Sequence, residues 1–371
     1  MNEMRIYILG AGASKPDGVP LTHEFIKKVF DKFGGREEKK PSLHWLPFDR
    51  VSVIEPVLKR LDAYHGLNLF EEWQQYLTTG DRHEYPLEVG TEQIESFFTE
   101  ICNKAASNSE DADILQKLRL LFFHTICHAS IMTEGRNYRR FIDSVMRLSG
   151  KKYVISFNYD LLLENALMEK VGDESKDPLT FQDGKNIFEG VLPWRYGVEF
   201  SCLEEAIEFK FVSMDEAQII YFKLHGSFNW TYCQRTKEIK IHGLFQDPNL
   251  YERLYHQKIV CECGNSDRIP LLVPPIKNKE ILIPALKKSW ADAEQVFEEA
   301  EEIFIIGYSL PDTDSEARKL LNRIPLQQIK KICIVNRSAQ HVQRLIRALN
   351  VDCRDRRLSI YDNFEALINE T

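Results

Sequence analysis

Five short apolar runs punctuate the chain, each followed by a glycine-rich or polar loop: Ile6–Leu9, Tyr153–Ile155, Ile219–Phe222, Ile303–Ile306 and Ile332–Val335. Runs this short, apolar and rich in Ile, bounded by turn residues, predict strands buried on both faces. Between the first and second runs the period changes to that of a helix. Phe25, Ile26, Val29, Phe30 and Phe33 form one stripe, which Thr22 can cap and Gly34-Gly35 stops, followed by a polar linker Arg36–Lys40 and Pro41. Further stripes are Ile94, Phe97, Phe98, Ile101, then Ile114, Leu115, Leu118, Leu121, Phe122, Ile126, then Phe141, Ile142, Val145, Met146. None carries a ligand pattern, so all are expected to pack a core.

After residue 150 strands and helices alternate. A helix is predicted at 161–170, then irregular chain over 171–218 with Pro178, Gly184, Gly190, Pro193 and Gly197, then a small irregular subdomain at about 228–283. Helices at about 291–301, after Asp314, and over Ser338–Leu349 separate the later strands, and Leu358-Ser359-Ile360 reads as the last strand. Alternation of this kind predicts an α/β, Rossmann-like fold with a mostly parallel sheet. Residues 1–20 supply its first strand and loop, 21–149 a large helical insertion, and 150–371 the remainder.

In such a sheet, loops leaving the carboxyl ends of neighbouring strands meet in one crevice. The first three runs lead into Gly10-Ala11-Gly12-Ala13-Ser14, Ser156-Phe157-Asn158-Tyr159-Asp160, and Lys223-Leu224-His225-Gly226-Ser227. Glycines admit close backbone approach to a phosphate, Asn and Asp orient hydroxyls, and His takes a proton near neutral pH. Taken singly, the first loop also suits any strand-to-helix turn, since Lys15 stands where a third glycine would. Asn158 and Asp160 also suit helix capping, and His225-Gly226 a turn.

As an ordered set these motifs resemble the sirtuin superfamily, and in particular the bacterial sirtuin-like NAD-consuming proteins of antiphage defence. The family's Gly-Ala-Gly-x-Ser and Gly-x-Pro correspond to Gly10–Ser14 and Gly18-Val19-Pro20. Its Thr-Gln-Asn-x-Asp corresponds to Ser156–Asp160, its Leu-His-Gly to Leu224-His225-Gly226, and supporting matches are Gly307-Tyr308-Ser309-Leu310 and Val335-Asn336. The resemblance implies NAD as substrate, Asn158 and His225 as catalytic residues, and Gly10, Ala11, Gly12, Ser14, Asp160, Gly307, Ser309 and Asn336 around the cofactor. Phe157 replaces the Gln of the deacetylase pattern, and Leu21–Phe25 stands where deacetylases carry Asp-Phe-Arg. The two Cys-x-x-Cys pairs of the deacetylase zinc module are also missing. These departures favour NAD hydrolysis over NAD-dependent protein deacylation, with a non-catalytic NAD- or ADP-ribose-sensing module as a further alternative.

Cys261 and Cys263, with Cys233 as a third ligand and His256 as a fourth, form an incomplete zinc pattern, and no bound metal is expected. Lys277-Asn278-Lys279, after Pro274-Pro275, reads as a solvated loop. The 371 residues carry 48 basic and 56 acidic side chains, a net charge of −8 that argues against nucleic-acid coating. No apolar run is long enough for a membrane span and the eight cysteines form no disulfide framework, so a cytoplasmic protein with reduced thiols is expected. The resemblance further implies control from outside the chain: a homo-oligomer, or a separately encoded HerA-type ATPase or Argonaute-like partner.

Overall fold

The computed structural model describes residues 3–33, 50–79, 89–131, 133–174, 180–182, 185–187, 190–192, 194–198, 202–203, 209–242, 261, 263–264, 268–273 and 284–370. Gly34-Gly35, Arg36–Lys40, Pro41, His256, Pro274-Pro275 and Lys277–Lys279 lie outside them. Two compact units form: one from Met1–Val19, Ser130–Val273 and Lys279–Thr371, the other chiefly from Pro20–Ala129.

The first unit is built on seven parallel strands. They are β1 (Arg5–Leu9), β2 (Lys152–Ser156), β6 (Trp194–Tyr196), β9 (Ile219–Lys223), β13 (Glu302–Ile306), β14 (Lys331–Val335) and β15 (Leu358–Tyr361), in the order β15-β14-β13-β1-β2-β9-β6. Every residue of β1, β2 and β9 is buried, as a strand with helices on both faces requires. The chain lays β2, β6 and β9 on one side of β1 and then returns to place β13 on the other. The strand order therefore reverses between β1 and β13, the place where open α/β sheets bind ligands.

The edge strand β6 departs from the irregular chain expected over 171–218. Its three residues sit between Pro193 and Gly197, turn residues that conceal so short a strand, and pairing with β9 is what orders it. Short strands β3 (Thr180–Gln182), β4 (Lys185–Ile187), β5 (Gly190–Leu192) and β8 (Phe209–Phe211) pair as two ribbons. A separate four-stranded sheet, order β12-β10-β11-β7, takes β7 (Cys202–Leu203), β10 (Gly226–Cys233), β11 (Ile239–Ile241) and β12 (Arg268–Leu272), giving regular structure to part of 228–283.

Helix α1 (Ala11–Ser14) follows β1 directly. The second unit holds α2 (Phe25–Phe33), α3 (Arg50–His65), α4 (Leu69–Thr79), α5 (Thr91–Ala105) and most of α6 (Ser109–Ile131). Its core includes the first three predicted stripes: Phe25 and Phe98 each pack on Phe122, and Phe30 packs edge-on to Trp73. Thr22 does not cap α2 but opens a short 3₁₀ turn, closed where the Glu24 carboxylate accepts the Leu21 N–H at 2.9 Å.

Helix α7 (Arg136–Arg147), the last of the predicted stripes, belongs to the sheet unit and not to the helical one. Its Phe141 packs edge-on to Tyr7 of β1, and its Tyr138 reaches the β1 loop. Helix α8 (Leu162–Glu174) starts behind the β2 loop. Helices Pro284–Glu298, Ser315–Leu321, Ala339–Leu349 and Phe364–Glu370 complete the described chain. Among the described residues no helix is long and apolar enough to cross a membrane.

Candidate functional site

Three of the predicted loops meet at the carboxyl ends of β1, β2 and β9. Asn158 is the link. It leaves β2 with its backbone N–H on Ser156 Oγ, and its side-chain Nδ2 donates to the Gly10 carbonyl and to Ser14 Oγ, both at 3.0 Å. Asn158 Nδ2 also stands 3.4 Å from Tyr138 Oη. Its Oδ1 takes no partner among the described residues, which leaves one acceptor to offer a ligand.

Ser14 faces inward. Its hydroxyl is fully buried, donates to Asp160 Oδ2 at 2.9 Å and lies 2.9 Å from Tyr138 Oη. Asp160 does the capping work that its position after a strand suggested, since Oδ1 accepts the Leu162 N–H at 3.2 Å. Burial raises the Asp160 pKa, opposed by the nearby Lys223 charge and the Ser14 hydroxyl, and burial also pushes the Tyr138 phenol up. In this structure Ser14 and Asp160 therefore form the floor under Asn158.

Gly10 and Gly12 bind loop to loop. The Gly10 N–H donates to the Ile306 carbonyl at 3.0 Å, and the Gly12 N–H donates to the Gly307 carbonyl at 2.8 Å. A Cβ on Gly12 would stand 2.7 Å from the Gly307 carbonyl oxygen, and one on Gly10 2.5 Å from Tyr308 Cα. The expectation that these two N–H groups face a pyrophosphate is thus not met here: backbone carbonyls hold both. Smallness at Gly10 and Gly12 serves the approach of the β13 loop to the β1 loop. Gly307 itself, at φ +62°, would set a Cβ 2.1 Å from Ala13 N. Ala11 alone of this loop is exposed.

The β13 loop carries Ser309, half-buried, and the buried Leu310 at φ +47°, with Arg344 donating to both their carbonyls. Asn336, at the end of β14, is tied within the same group of loops. Its Nδ2 donates to the Tyr308 carbonyl at 3.0 Å and its Oδ1 accepts the Ser338 N–H at 3.0 Å. Gly307, Ser309 and Asn336 thus gather on the β13–β14 side of the switch point, and Asn158 and His225 on the β2–β9 side.

His225 follows β9 and is held at a sharp corner. Gly226 turns the chain at φ +81°, where a Cβ would meet the Leu271 carbonyl oxygen at 2.1 Å, and the His225 carbonyl accepts the Val273 N–H at 2.9 Å. Its ring is surrounded by Phe157, Tyr159 and Trp290, with centroids 5.0, 6.3 and 6.2 Å away. Phe157, which stands where the deacetylase pattern has Gln, also stacks on Tyr308 at 4.5 Å. His225, Val273, Trp290, Thr313, Asp314, Ser315 and Glu316 line a cleft.

Sequence reasoning gave no site role to four residues here: Tyr138, Glu164, Asp314 and Lys223, the last quoted only as part of the loop after β9. Lys223 is fully buried and donates to Glu164 Oε1 at 2.9 Å and to the Asp160 carbonyl at 2.5 Å, with the Tyr159 carbonyl at 3.3 Å. A Lys inside an otherwise apolar β9 run is the one signal that pointed to it. Tyr138 extends the Phe141–Ile142–Val145 stripe by one helical turn, which marks it as core and not as site, and Asp314 gave no signal.

The three cysteines converge in the smaller sheet. Cys233, Cys261 and Cys263 place their sulfurs within 4.8 Å of one another, and Thr236 N–H points at Cys233 Sγ from 3.4 Å. Among the described residues these three thiols are one donor short of a closed zinc site.

No family model matches the chain, and no curated protein does. Solved structures similar in fold include a Sir2 homologue–NAD complex, at 13% identity and TM-score 0.47, covering 100% of this chain and 88% of that one. A Sir2 homologue mutant with 2′-O-acetyl ADP-ribose aligns at 12% identity and TM-score 0.40, covering 100% and 90% of the two chains. Sir2 with an inhibitor, 2′-O-acetyl-ADP-ribose and a deacetylated peptide aligns at 12% and 0.38, covering 99% and 91%.

Proposed function

We propose that this chain is a sirtuin-like NAD glycohydrolase, cleaving NAD to nicotinamide and ADP-ribose, and that it acts in bacterial defence by depleting NAD. The reading is supported by Asn158 and His225 standing on the loops that follow β2 and β9, adjacent parallel strands beside the sheet's switch point. The defence role rests on the resemblance of the motif series alone.

In NAD the nicotinamide is a cationic pyridinium. Breaking its bond to the ribose C1′ sends the electron pair to the ring nitrogen, so the leaving base departs neutral and needs no acid. The ribose left behind is oxocarbenium-like and takes a water oxygen at C1′. The protein must hold the ribose, exclude bulk water and receive one proton. Asn158 Oδ1 suits a ribose hydroxyl or the attacking water, and His225 suits the proton, which then passes to solvent. Tyr159 and Trp290, both half-buried beside His225, offer aromatic surface on which a pyridinium is favourable.

Incubation of the purified protein with NAD, followed by chromatography, tests this directly. Nicotinamide and ADP-ribose should form without any acylated peptide. Release only when an acyl-lysine peptide is present would replace hydrolysis with deacylation, and NAD left intact in both cases would sink the enzymatic reading.

A further inference from the structure

His225 has a carboxylate beside it that no motif points to. Asp314 Oδ1 lies 3.4 Å from His225 Nε2, and Asp314 Oδ2 accepts the Tyr308 hydroxyl at 2.9 Å. His225, Asp314 and Tyr308 are 5%, 5% and 4% exposed, so solvent screens the contact little. Asp314 precedes helix Ser315–Leu321, where an Asp ordinarily caps, yet its side chain makes no cap hydrogen bond. Its Oδ1 stands instead 3.4 Å from the imidazole Nε2.

The ring is fixed in other ways too. It sits among the rings of Phe157, Tyr159 and Trp290, and Trp290 is itself anchored by donating Nε1–H to the Leu224 carbonyl at 2.9 Å. Among the described residues, the ionisable groups around it include Asp314, Tyr159 and, in the lining of the same cleft, Glu316. A buried imidazole beside a carboxylate donates one ring N–H to it, and that bond decides which nitrogen is left basic.

We propose that Asp314 is a positioning residue for His225. It accepts the Nε2–H, presents Nδ1 as the basic nitrogen, and balances the imidazolium once Nδ1 has taken a proton. Tyr308 holds Asp314 in place through its second oxygen. Asp314 exchanges no proton itself: the proton moves from the attacking oxygen to Nδ1 and then to solvent, as the C1′–N bond breaks and the C1′–O bond forms. The catalytic part of this rests on the NAD-cleaving reading of the site.

Long-range ¹H–¹⁵N correlation spectra of the labelled full chain test the pairing without any substrate. The His225 signal is identified by its loss in His225→Gln. In the wild type, neutral His225 should be the Nε2–H tautomer. In Asp314→Asn its protonation midpoint should fall by about one pH unit or more, while Asp314→Glu, keeping the charge, should stay near the wild type. For nicotinamide release, Asp314→Asn should lower kcat on the order of 100-fold with KM little changed, and move the acid limb of the pH profile down by the same shift. A wild-type Nδ1–H tautomer, or a midpoint indifferent to Asp314→Asn, overturns the positioning role. The tautomer measurement decides the question even where Asp314→Asn does not fold. The expected ring behaviour in a protein that leaves NAD intact would uphold the pairing and overturn only the reaction.

Discussion

Replacing Lys223 with Met should unseat the floor of the site, and the structure gives the size of the effect. The Lys223 ammonium and the Glu164 carboxylate are both 0% exposed, and Tyr196 donates a second hydrogen bond to Glu164 Oε1 at 2.9 Å. Glu164 Oε2 has no hydrogen-bond partner among the described residues, and the Lys223 charge is the largest influence opposing the burial of this carboxylate. Burial raises the Glu164 pKa, and Lys223 opposes that rise, as it does for Asp160. Met keeps most of the volume and removes the charge. Leaving one member of a buried pair behind costs about 3–5 kcal/mol. In addition the Asp160 and Tyr159 carbonyls lose a donor.

The pH dependence has a definite sign. A carboxyl whose pKa is raised in the folded state keeps a proton that the unfolded chain has released. Stability therefore falls as pH rises from the unfolded value toward the folded one. Without Lys223 the folded pKa climbs further, so Lys223→Met should lose stability relative to wild type at up to about 1.4 kcal/mol per pH unit. Near pH 8 the full deficit should appear, as a fall of about 6–20 °C in the melting temperature of the sheet unit, and near pH 5.5 most of it should be gone. Scanning calorimetry at both values, with Lys223→Met/Glu164→Gln as the double variant, reads this out. The double variant should recover most of the loss. A deficit under about 1 kcal/mol near pH 8, or one that neither acid nor Glu164→Gln relieves, would refute the account.

Four further outcomes are expected. His225→Ala and Asn158→Ala should each lower nicotinamide release by about 100- to 10,000-fold, measured by chromatography, and near-normal turnover in both would remove them from the chemistry. Gly12→Val should lower the melting temperature of the sheet unit, because its Cβ meets the Gly307 carbonyl oxygen at 2.7 Å; full stability with lost NAD binding would restore the ligand-facing reading of that loop. Activity should survive chelation, since the described cysteine cluster offers three thiols and not four ligands, and elemental analysis finding one zinc per chain would contradict this. Light scattering should find a multimer whose NAD turnover responds to exposed substitutions in the helical unit, and a monomer indifferent to them would remove external control.

Much of the architecture was legible because it depends on local apolarity. A strand covered on both faces is apolar along its middle, so β1, β2, β9, β13 and β14 announce themselves as short runs, and the loops after them carry Gly10, Asn158, His225 and Gly307 in plain view. Helical stripes fixed the core faces of α2, α5 and α6 in the same way. Tertiary structure decided everything that needs a partner distant in the chain. Gly12 reads as a phosphate-loop glycine until β13 pairs with β1 and brings the Gly307 carbonyl onto its N–H. Trp194–Tyr196 becomes a strand only because β9 offers it an edge. The hydroxyl contact of Tyr138 with Ser14, the pairing of Asp314 with His225 and the convergence of Cys233 with Cys261 and Cys263 follow no sequence period, since each joins partners across the fold and not along a helix or strand. The residue types were set by the sequence, and their protonation partners by which loops the parallel sheet brings to one end.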